Sequence, residues 1–115
     1  MKKVFFFLVA AGLVLWITSS SFGADGGKPL IIDVRTEAEW NDGHIDGAIL
    51  IPYELIGEKI TTVTKDKSGR IYVYCRSGRR SQIAKKTLEE LGYKDVVNLG
   101  ALDDAAKKMK RKIVR

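Results

Sequence analysis

The stretch IYVYCRSGRRSQIAKKTLEELGY, residues 71–93, decides the fold of this chain. It starts with an apolar run of β-branched and aromatic residues, which predicts a buried strand that ends at Cys75. A short loop with three arginines follows, and from about residue 79 to residue 91 the apolar residues recur at helical spacing. Gly92 then stands where a left-handed helix cap belongs. Strand, loop and helix in this order predict one βα unit of a parallel sheet.

The segments on either side continue this alternation of strands and helices. Further apolar runs predict strands at residues 30–34, 49–52 and 95–99. Further helical patterns lie at residues 53–60 and 101–110. Continuous apolar strands that alternate with helices are typical of parallel sheets covered on both faces. We therefore predict one α/β domain at residues 30–115, with a mainly parallel central sheet and helices on both faces.

Three connecting segments have weaker local signals. Thr36 can cap a short helix whose first turn holds Glu37 and Glu39, where the helix dipole favours acidic side chains. Residues 41–48, NDGHIDGA, predict a turn-rich loop. The basic residues 107–115 could contact anionic lipid or nucleic acid, but we interpret them as a solvated helix end.

The first residues predict an export signal. A basic start precedes an uncharged apolar run at residues 4–18, and small residues occupy the positions that a cut before Ala24 requires. We therefore predict a signal peptide at residues 1–23, a flexible leader at residues 24–29 and a periplasmic protein without stable membrane association after cleavage. A retained anchor is the alternative, although the run is shorter than the about 20 apolar residues that span a membrane.

Composition restricts the chemistry that the chain can perform. The chain has one cysteine, one histidine and a formal net charge of +6. A lone cysteine cannot form an internal disulfide, and one Cys with one His is too few for the familiar zinc sites. We therefore predict no metal, no cofactor and no nucleic-acid partner. The thiol is expected to be free and reactive, or to pair with another molecule.

Cys75 lies where a parallel α/β sheet binds its ligands. Such ligands bind at the carboxyl ends of strands, where loops lead into helix N-termini. The backbone N–H groups of this loop and helix start favour an anion, and the same field favours a thiolate. Gly78 would let the loop turn tightly. An inert buried cysteine beside a solvated loop is the alternative, but the order of strand, Cys, Gly loop and helix favours a nucleophile in an anion-binding cradle.

Three segments of the chain resemble the rhodanese family of sulfurtransferases. They are LIIDVRTEAEW, GHIDGAILIP and YVYCRSGRRSQIAKKTLEELGY, which follow each other in family order over most of residues 29–100. The small size and the export signal are most similar to single-domain periplasmic members of the phage-shock type. The resemblance implies a thiosulfate sulfurtransferase: Cys75 takes the outer sulfur of thiosulfate as a persulfide, and a thiophilic acceptor, cyanide or a thiol, removes it.

The resemblance also assigns individual residues. Cys75 matches the family nucleophile, and Arg76 matches an arginine that is common in thiosulfate-using members. The residues implied to bind the sulfur donor are Arg76, Ser77, Gly78, Arg79 and Arg80. Asp33 and Arg35 match a DVR motif near the pocket, and we interpret them as ionic groups that brace the loop, and secondarily as substrate contacts. His44 matches a GH motif, where we expect a turn-stabilising hydrogen bond rather than catalysis.

One segment departs from the family pattern. Many members have LEGG and then an apolar helix with a tryptophan, whereas residues 98–112 here read NLGALDDAAKKMKRK. The last helix is therefore more charged than the resemblance implies.

Two other functions fit parts of the same pattern. Related Cys-dependent phosphatases have five residues between the cysteine and the arginine. Here the sixth residue after Cys75 is Ser81, and the arginine, Arg80, comes one position earlier. This shorter loop suits a persulfide better than a phosphate. A sulfur-carrying or regulatory module that acts with a protein partner would need the same cysteine and loop. The sequence leaves this module open beside the enzyme.

Overall fold

A parallel sheet carries the site. The computed structural model of the protein describes residues 28–115. Its strands are β1 (Leu30–Asp33), β2 (His44–Ile45), β3 (Ile49–Leu50), β4 (Arg70–Cys75), β5 (Asp95–Ala101) and β6 (Ile113–Val114). Within these residues, four strands form a parallel sheet in the order β3–β1–β4–β5, and β2 pairs with β6 in an antiparallel ladder. The predicted α/β fold with a mainly parallel sheet is confirmed.

Helices cover both faces of this sheet. They are α1 (Glu37–Asp42), α2 (Ile56–Val63), α3 (Arg79–Glu90) and α4 (Leu102–Met109). On one face, α2 and α3 bury Ile56, Ile60, Ala84 and Leu88 against the central strands. On the other face, α4 packs against the sheet, and its small residues Ala105 and Ala106 let it lie close to the strands. Each strand of the centre is therefore buried on both sides, which explains its continuous apolar sequence.

Local sequence signals set most helix boundaries. Thr36 forms a capping box with Glu39, because its hydroxyl accepts from the Glu39 N–H at 3.2 Å while the Glu39 carboxylate accepts from the Thr36 N–H at 3.0 Å. The helix predicted at residues 53–60 starts instead as a 3₁₀ turn, Tyr53–Leu55. Pro52 holds extended backbone there, and its carbonyl accepts from the Leu55 N–H, so α2 begins only at Ile56.

The predictions for residues 41–48 and for the C-terminal residues were correct only in part. Residues 46 and 47 form a turn, but the same segment also contains the end of α1 and all of β2. Lys107 and Lys108 are exposed in the last turn of α4, as predicted, but the chain beyond them forms β6. The reason is a reversal at Lys110, a residue with a left-handed φ of 55°, after which the chain runs back beside β2. Such a two-residue ladder has no periodicity that a sequence pattern could show.

A β-bulge in β5 shapes the region next to Cys75. Val73 lies opposite Asn98 and Tyr74 lies opposite Gly100, so Leu99 is the extra residue. The strand therefore extends past the predicted residues 95–99, and the helix predicted from residue 101 starts at Leu102.

Within the described part of the chain, no helix combines the length and the apolar character that a membrane span requires. The predicted signal peptide at residues 1–23 and most of the leader at residues 24–29 lie outside this part.

Candidate active site

Cys75 is the last residue of β4 and is fully buried. Cys75 belongs to the apolar core and pairs with Ala101 of β5, so the residue opposite it on β5 carries no charge. The chain leaves the sheet immediately after it and enters α3 at Arg79. The thiol therefore lies at the carboxyl edge of a central strand and at the N-terminus of a helix, as the sequence predicts.

Hydrogen-bond donors converge on the sulfur. The Gly78 N–H donates to Sγ at 2.9 Å, and the Ser81 hydroxyl lies 3.4 Å from it. Burial raises the pKa of the Cys75 thiol, but hydrogen bonds from the Ser81 side chain and from the N–H groups of Ser81, Ser77 and Gly78 outweigh it. The pKa of Cys75 consequently lies below its usual value, so the thiolate forms more readily than in a free cysteine.

The loop geometry depends on Gly78. This residue caps α3 with φ of 95°, a left-handed conformation that glycine adopts without steric cost. A Cβ at this position would lie 3.5 Å from the Cα of Gly100 in the neighbouring strand. The conformation turns the Gly78 N–H toward the sulfur, which is why the loop can be so short.

The three loop arginines have different environments. Arg80 forms a bidentate ion pair with Glu39 of α1, with Nη1–Oε1 and Nη2–Oε2 distances of 2.8 and 2.9 Å. Arg76 and Arg79 are exposed. Arg76 also lines a cleft, so its guanidinium can reach an anion there, whereas the charge of Arg80 is largely compensated.

A cleft of about 430 Å³ opens beside the loop. Its walls are formed by Arg35, Glu39, Asp42, Arg76, Ala101, Leu102 and Asp103. One wall belongs to α1, and the opposite wall is the start of α4, where Asp103 contributes an acidic side chain. The charged last helix therefore forms an edge of this cleft.

Asp33 and Arg35 form a buried ion pair below the cleft. The Arg35 Nη2–Asp33 Oδ2 distance is 2.7 Å, and Nε also donates to the carboxylate. The Tyr74 hydroxyl donates to the same carboxylate at 2.8 Å, while Arg35 donates to the Gly43 carbonyl at 2.7 Å. Burial raises the pKa of Tyr74 far above its usual range, so it stays a donor. The pair thus joins β1, β4 and the end of α1.

His44 and Trp40 pack against each other at the end of α1. His44 Nδ1 lies 3.0 Å from the Trp40 carbonyl oxygen, and the two rings stack at 3.5 Å between centroids. This geometry is that of a turn-stabilising contact, which agrees with our interpretation of His44. Trp40 is half-buried.

Three residues near the thiol were not predicted as site residues. The Ser81 hydroxyl lies 3.4 Å from Sγ, and the amide of Asn98 on β5 contacts the loop and α3. Glu39 was predicted only as an acidic residue in the first turn of α1. A polar residue inside the apolar run DVVNL was the signal for Asn98. No local signal pairs Glu39 with Arg80, because the two are 41 positions apart.

The family model of the rhodanese-like domain matches residues 23–104. The chain belongs to this family. Among rhodanese-like proteins, it is similar to the thiosulfate sulfurtransferase PspE of Escherichia coli, with 44% identity over 65% of this chain and 72% of that protein. It is also similar to the putative sulfur carrier protein YrkF of Bacillus subtilis, with 35% identity over 60% of this chain but only 36% of that protein.

A solved structure shows the same fold. The solved structure of a rhodanese with anions from Escherichia coli has a TM-score of 0.71 and 39% identity, and the match covers 76% of this chain and 99% of that one. The prediction of a sulfurtransferase of the rhodanese family, with one small rhodanese domain, is confirmed.

Proposed function

We propose that this protein is a thiosulfate sulfurtransferase that carries sulfur as a persulfide on Cys75. The observation that supports this most directly is the set of donors around Sγ, headed by the Gly78 N–H at 2.9 Å. These donors favour an anionic sulfur and are oriented before any substrate arrives. The similarity to a protein named thiosulfate sulfurtransferase supports the choice of donor.

In the first half-reaction, the Cys75 thiolate attacks the outer sulfur of thiosulfate. A bond forms between the two sulfur atoms, the sulfur–sulfur bond of thiosulfate breaks, and its electron pair leaves with sulfite. The persulfide that remains carries its negative charge on the outer sulfur, where the loop N–H groups can stabilise it. The lowered pKa of Cys75 raises the fraction of thiolate that is available for this attack.

In the second half-reaction, a nucleophilic acceptor attacks the outer sulfur. The persulfide bond breaks, its electron pair returns to Cys75 as a thiolate, and the acceptor leaves with the sulfur. Cyanide gives thiocyanate, and a thiolate gives a new persulfide. The enzyme therefore returns to its starting state without a redox partner or a metal.

The loop arginines have separate roles in donor binding. Arg76 is exposed on the cleft and attracts the thiosulfate dianion. Arg80, paired with Glu39, contributes less net charge and fixes the start of α3. Ser77, Gly78 and Arg79 contribute the loop backbone. Asp33 and Arg35 brace the cleft from below.

We also propose that the protein works in the periplasm. The basic, apolar and small-residue pattern of residues 1–23 supports export. Its acceptors there would be small thiols or thiols of other exported proteins.

Intact mass of the purified protein before and after thiosulfate, with cyanide added last, tests the proposal. We expect one sulfur atom to be gained, then lost on cyanide as thiocyanate forms. The Cys75→Ser variant should gain no sulfur and keep the wild-type circular dichroism. A free thiol that takes no sulfur from thiosulfate, or sulfur transfer by Cys75→Ser, would contradict the proposal.

A sulfur carrier that receives sulfur from a protein donor is the second candidate. The similarity to a putative sulfur carrier protein favours it, and the donors around Sγ would stabilise the same persulfide. A carrier would take up sulfur from a persulfidated protein but would not turn over with free thiosulfate. Steady-state thiocyanate formation from thiosulfate therefore separates the two.

A further inference from the structure

The hydroxyl of Ser81 has more acceptors than protons. Ser81 is fully buried, and its Oγ lies 2.7 Å from Asn98 Oδ1, 3.1 Å from the Gly78 carbonyl oxygen and 3.4 Å from Cys75 Sγ. A hydroxyl donates one proton, so these three groups compete for it. The acceptor that holds the proton decides whether Ser81 stabilises the sulfur.

The amide of Asn98 is held in one orientation by its neighbours. Its Oδ1 accepts from the Gly100 N–H at 2.9 Å, and its Nδ2 donates to the Gly78 carbonyl at 3.1 Å and to Gln82 Oε1 at 3.2 Å. Because an N–H can only donate and a carbonyl can only accept, these contacts fix which end of the amide faces Ser81. The end that faces Ser81 is the acceptor.

The β-bulge brings this amide beside the loop. The extra residue Leu99 lets β5 place Asn98 opposite Val73 while Gly100 lies opposite Tyr74. Asn98 thereby contacts the N-cap residue of α3 and its first turn from the neighbouring strand.

We propose that Asn98 is a positioning residue that competes with Cys75 for the Ser81 hydroxyl proton. Beside a neutral thiol, which is a weak acceptor, the proton lies on the short bond to Asn98. Beside a thiolate, a charged acceptor, the hydroxyl turns toward Sγ. Asn98 thus limits how strongly Ser81 stabilises the anionic sulfur.

During the proposed reaction, the acceptor that holds the Ser81 proton should change; this extension rests on the proposed function. When the persulfide forms, the negative charge moves from Sγ to the outer sulfur. Sγ then becomes a weak acceptor, and the Ser81 proton returns to Asn98. When the acceptor removes the outer sulfur, the charge returns to Sγ and the proton follows it.

The single cysteine allows a test that needs no sulfur transfer. The rate of alkylation by iodoacetamide as a function of pH reports the pKa of Cys75 alone. The charged or titratable groups near the thiol include Arg80 of α3, its partner Glu39 of α1 and, beside Arg80, the phenol of Tyr53. The arginines that follow Cys75 in the loop are Arg76 and Arg79. All of these residues are unchanged in the variants below.

We expect Ser81→Ala to raise the pKa of Cys75 by about one unit, because the sulfur loses a donor. Asn98→Leu should lower it by about half a unit, because the sulfur then competes for the Ser81 proton with the Gly78 carbonyl alone. In the Ser81→Ala background, Asn98→Leu should have no effect, because no proton is left to share. Ser81→Thr, which keeps the hydroxyl, should restore the lowered pKa.

Gln82→Ala is the matched control, because it removes another contact of Asn98 and leaves the Ser81 bond in place. It should titrate like the wild type. In Asn98→Leu the Gly78 carbonyl still accepts from the Gln82 N–H at 3.1 Å, which retains the helix start. If Asn98→Leu unfolds by circular dichroism, Asn98→Ala replaces it in the same cycle.

A rise in pKa in Asn98→Leu, or an equal shift with and without the Ser81 hydroxyl, would overturn the inference. Either result would mean that Asn98 only braces the loop. If the pKa values of the variants shift as expected but the wild type takes no sulfur from thiosulfate, the proposed function is wrong. The competition for the Ser81 proton would still be established.

Discussion

The guanidinium of Arg80 and the carboxylate of Glu39 form a bidentate ion pair that joins the active-site loop to α1. Glu39 also completes the capping box of α1 with Thr36. The Glu39 carboxylate therefore both caps the start of α1 and compensates the charge of Arg80. A substitution that keeps the capping box and removes the negative charge of Glu39 can therefore test the charge separately from the helix cap.

We expect opposite effects from the two halves of this pair. Glu39→Gln keeps the capping box, since glutamine also forms it, but it leaves the Arg80 charge uncompensated and should lower the KM for thiosulfate. Arg80→Ala leaves a carboxylate facing the dianion and should raise that KM, each by roughly threefold. Steady-state kinetics at low ionic strength measures both. A raised KM in both variants would mean that the pair acts by geometry alone.

The same carboxylate predicts a pH dependence of stability. The hydrogen bond from Arg80 lowers the pKa of Glu39 from 4.5 to about 2, although burial opposes this shift. A lowered folded-state pKa adds stability above the unfolded value, and this stability is lost as the pH falls from 4.5 toward 2. Urea unfolding of wild type and Glu39→Gln should show a constant difference near neutral pH that shrinks over this range. A difference that stays constant down to the acid end would refute the assignment.

Arg76 and Arg79 are both exposed loop arginines, but only Arg76 lines the cleft. Arg76→Ala should raise the KM for thiosulfate by roughly three- to tenfold, with little change in kcat, because a charge-assisted contact to the bound dianion is lost. Arg79→Ala is the matched control and should change KM much less. Equal effects would indicate general electrostatic attraction by the loop.

Asp33→Asn should strongly destabilise the fold. It leaves Arg35, which is 5% exposed, without its counter-charge, and breaking a buried pair in this way costs about 3–5 kcal/mol. Asp95→Asn is the control, because the Arg70–Asp95 pair is exposed and its loss should leave the unfolding midpoint close to wild type. Urea unfolding monitored by circular dichroism compares them. Similar midpoints for the two variants would show that the buried network contributes little.

Alanine substitutions at Gly78 and Gly92 distinguish the effect of backbone strain on stability from an effect on the Cys75 thiol. Gly78 and Gly92 have φ of 95° and 99°, so alanine at either should cost about 1 kcal/mol or more. Of the two, only Gly78 donates to Sγ, and its left-handed φ turns that N–H toward the sulfur. Only Gly78→Ala, which disfavours this φ, should therefore raise the pKa of Cys75 in an alkylation titration. A change of similar size in Gly92→Ala would show that the titration reports overall loosening.

The sequence predicts those parts of the site that are local along the chain. β4, the loop and α3 follow one another, so the position of Cys75 and the tight turn at Gly78 could be predicted from the order of the residues, whereas Asp33 and Arg35 were assigned from the resemblance to the family. The capping box at Thr36 is likewise a short-range pattern.

The remaining features depend on contacts between distant segments. The Glu39–Arg80 pair requires α1 to lie against the start of α3, and the position of Asn98 requires a one-residue register shift between β4 and β5. The β2–β6 ladder requires the reversal at Lys110. Each depends on packing geometry, which hydrophobic periodicity does not encode.

In the proposed cycle, complete burial of Cys75 gives the two half-reactions unequal steric requirements. A donor must present a bare terminal atom to reach the thiolate, which a slender inorganic anion does and a folded protein surface does not. Sulfur uptake would then lengthen the side chain by one atom. The acceptor would attack a sulfur that lies one bond farther from the backbone, where a bulkier nucleophile, including a cysteine on another protein, is less hindered. The enzyme can thus be selective for its donor and permissive for its acceptor with a single cysteine.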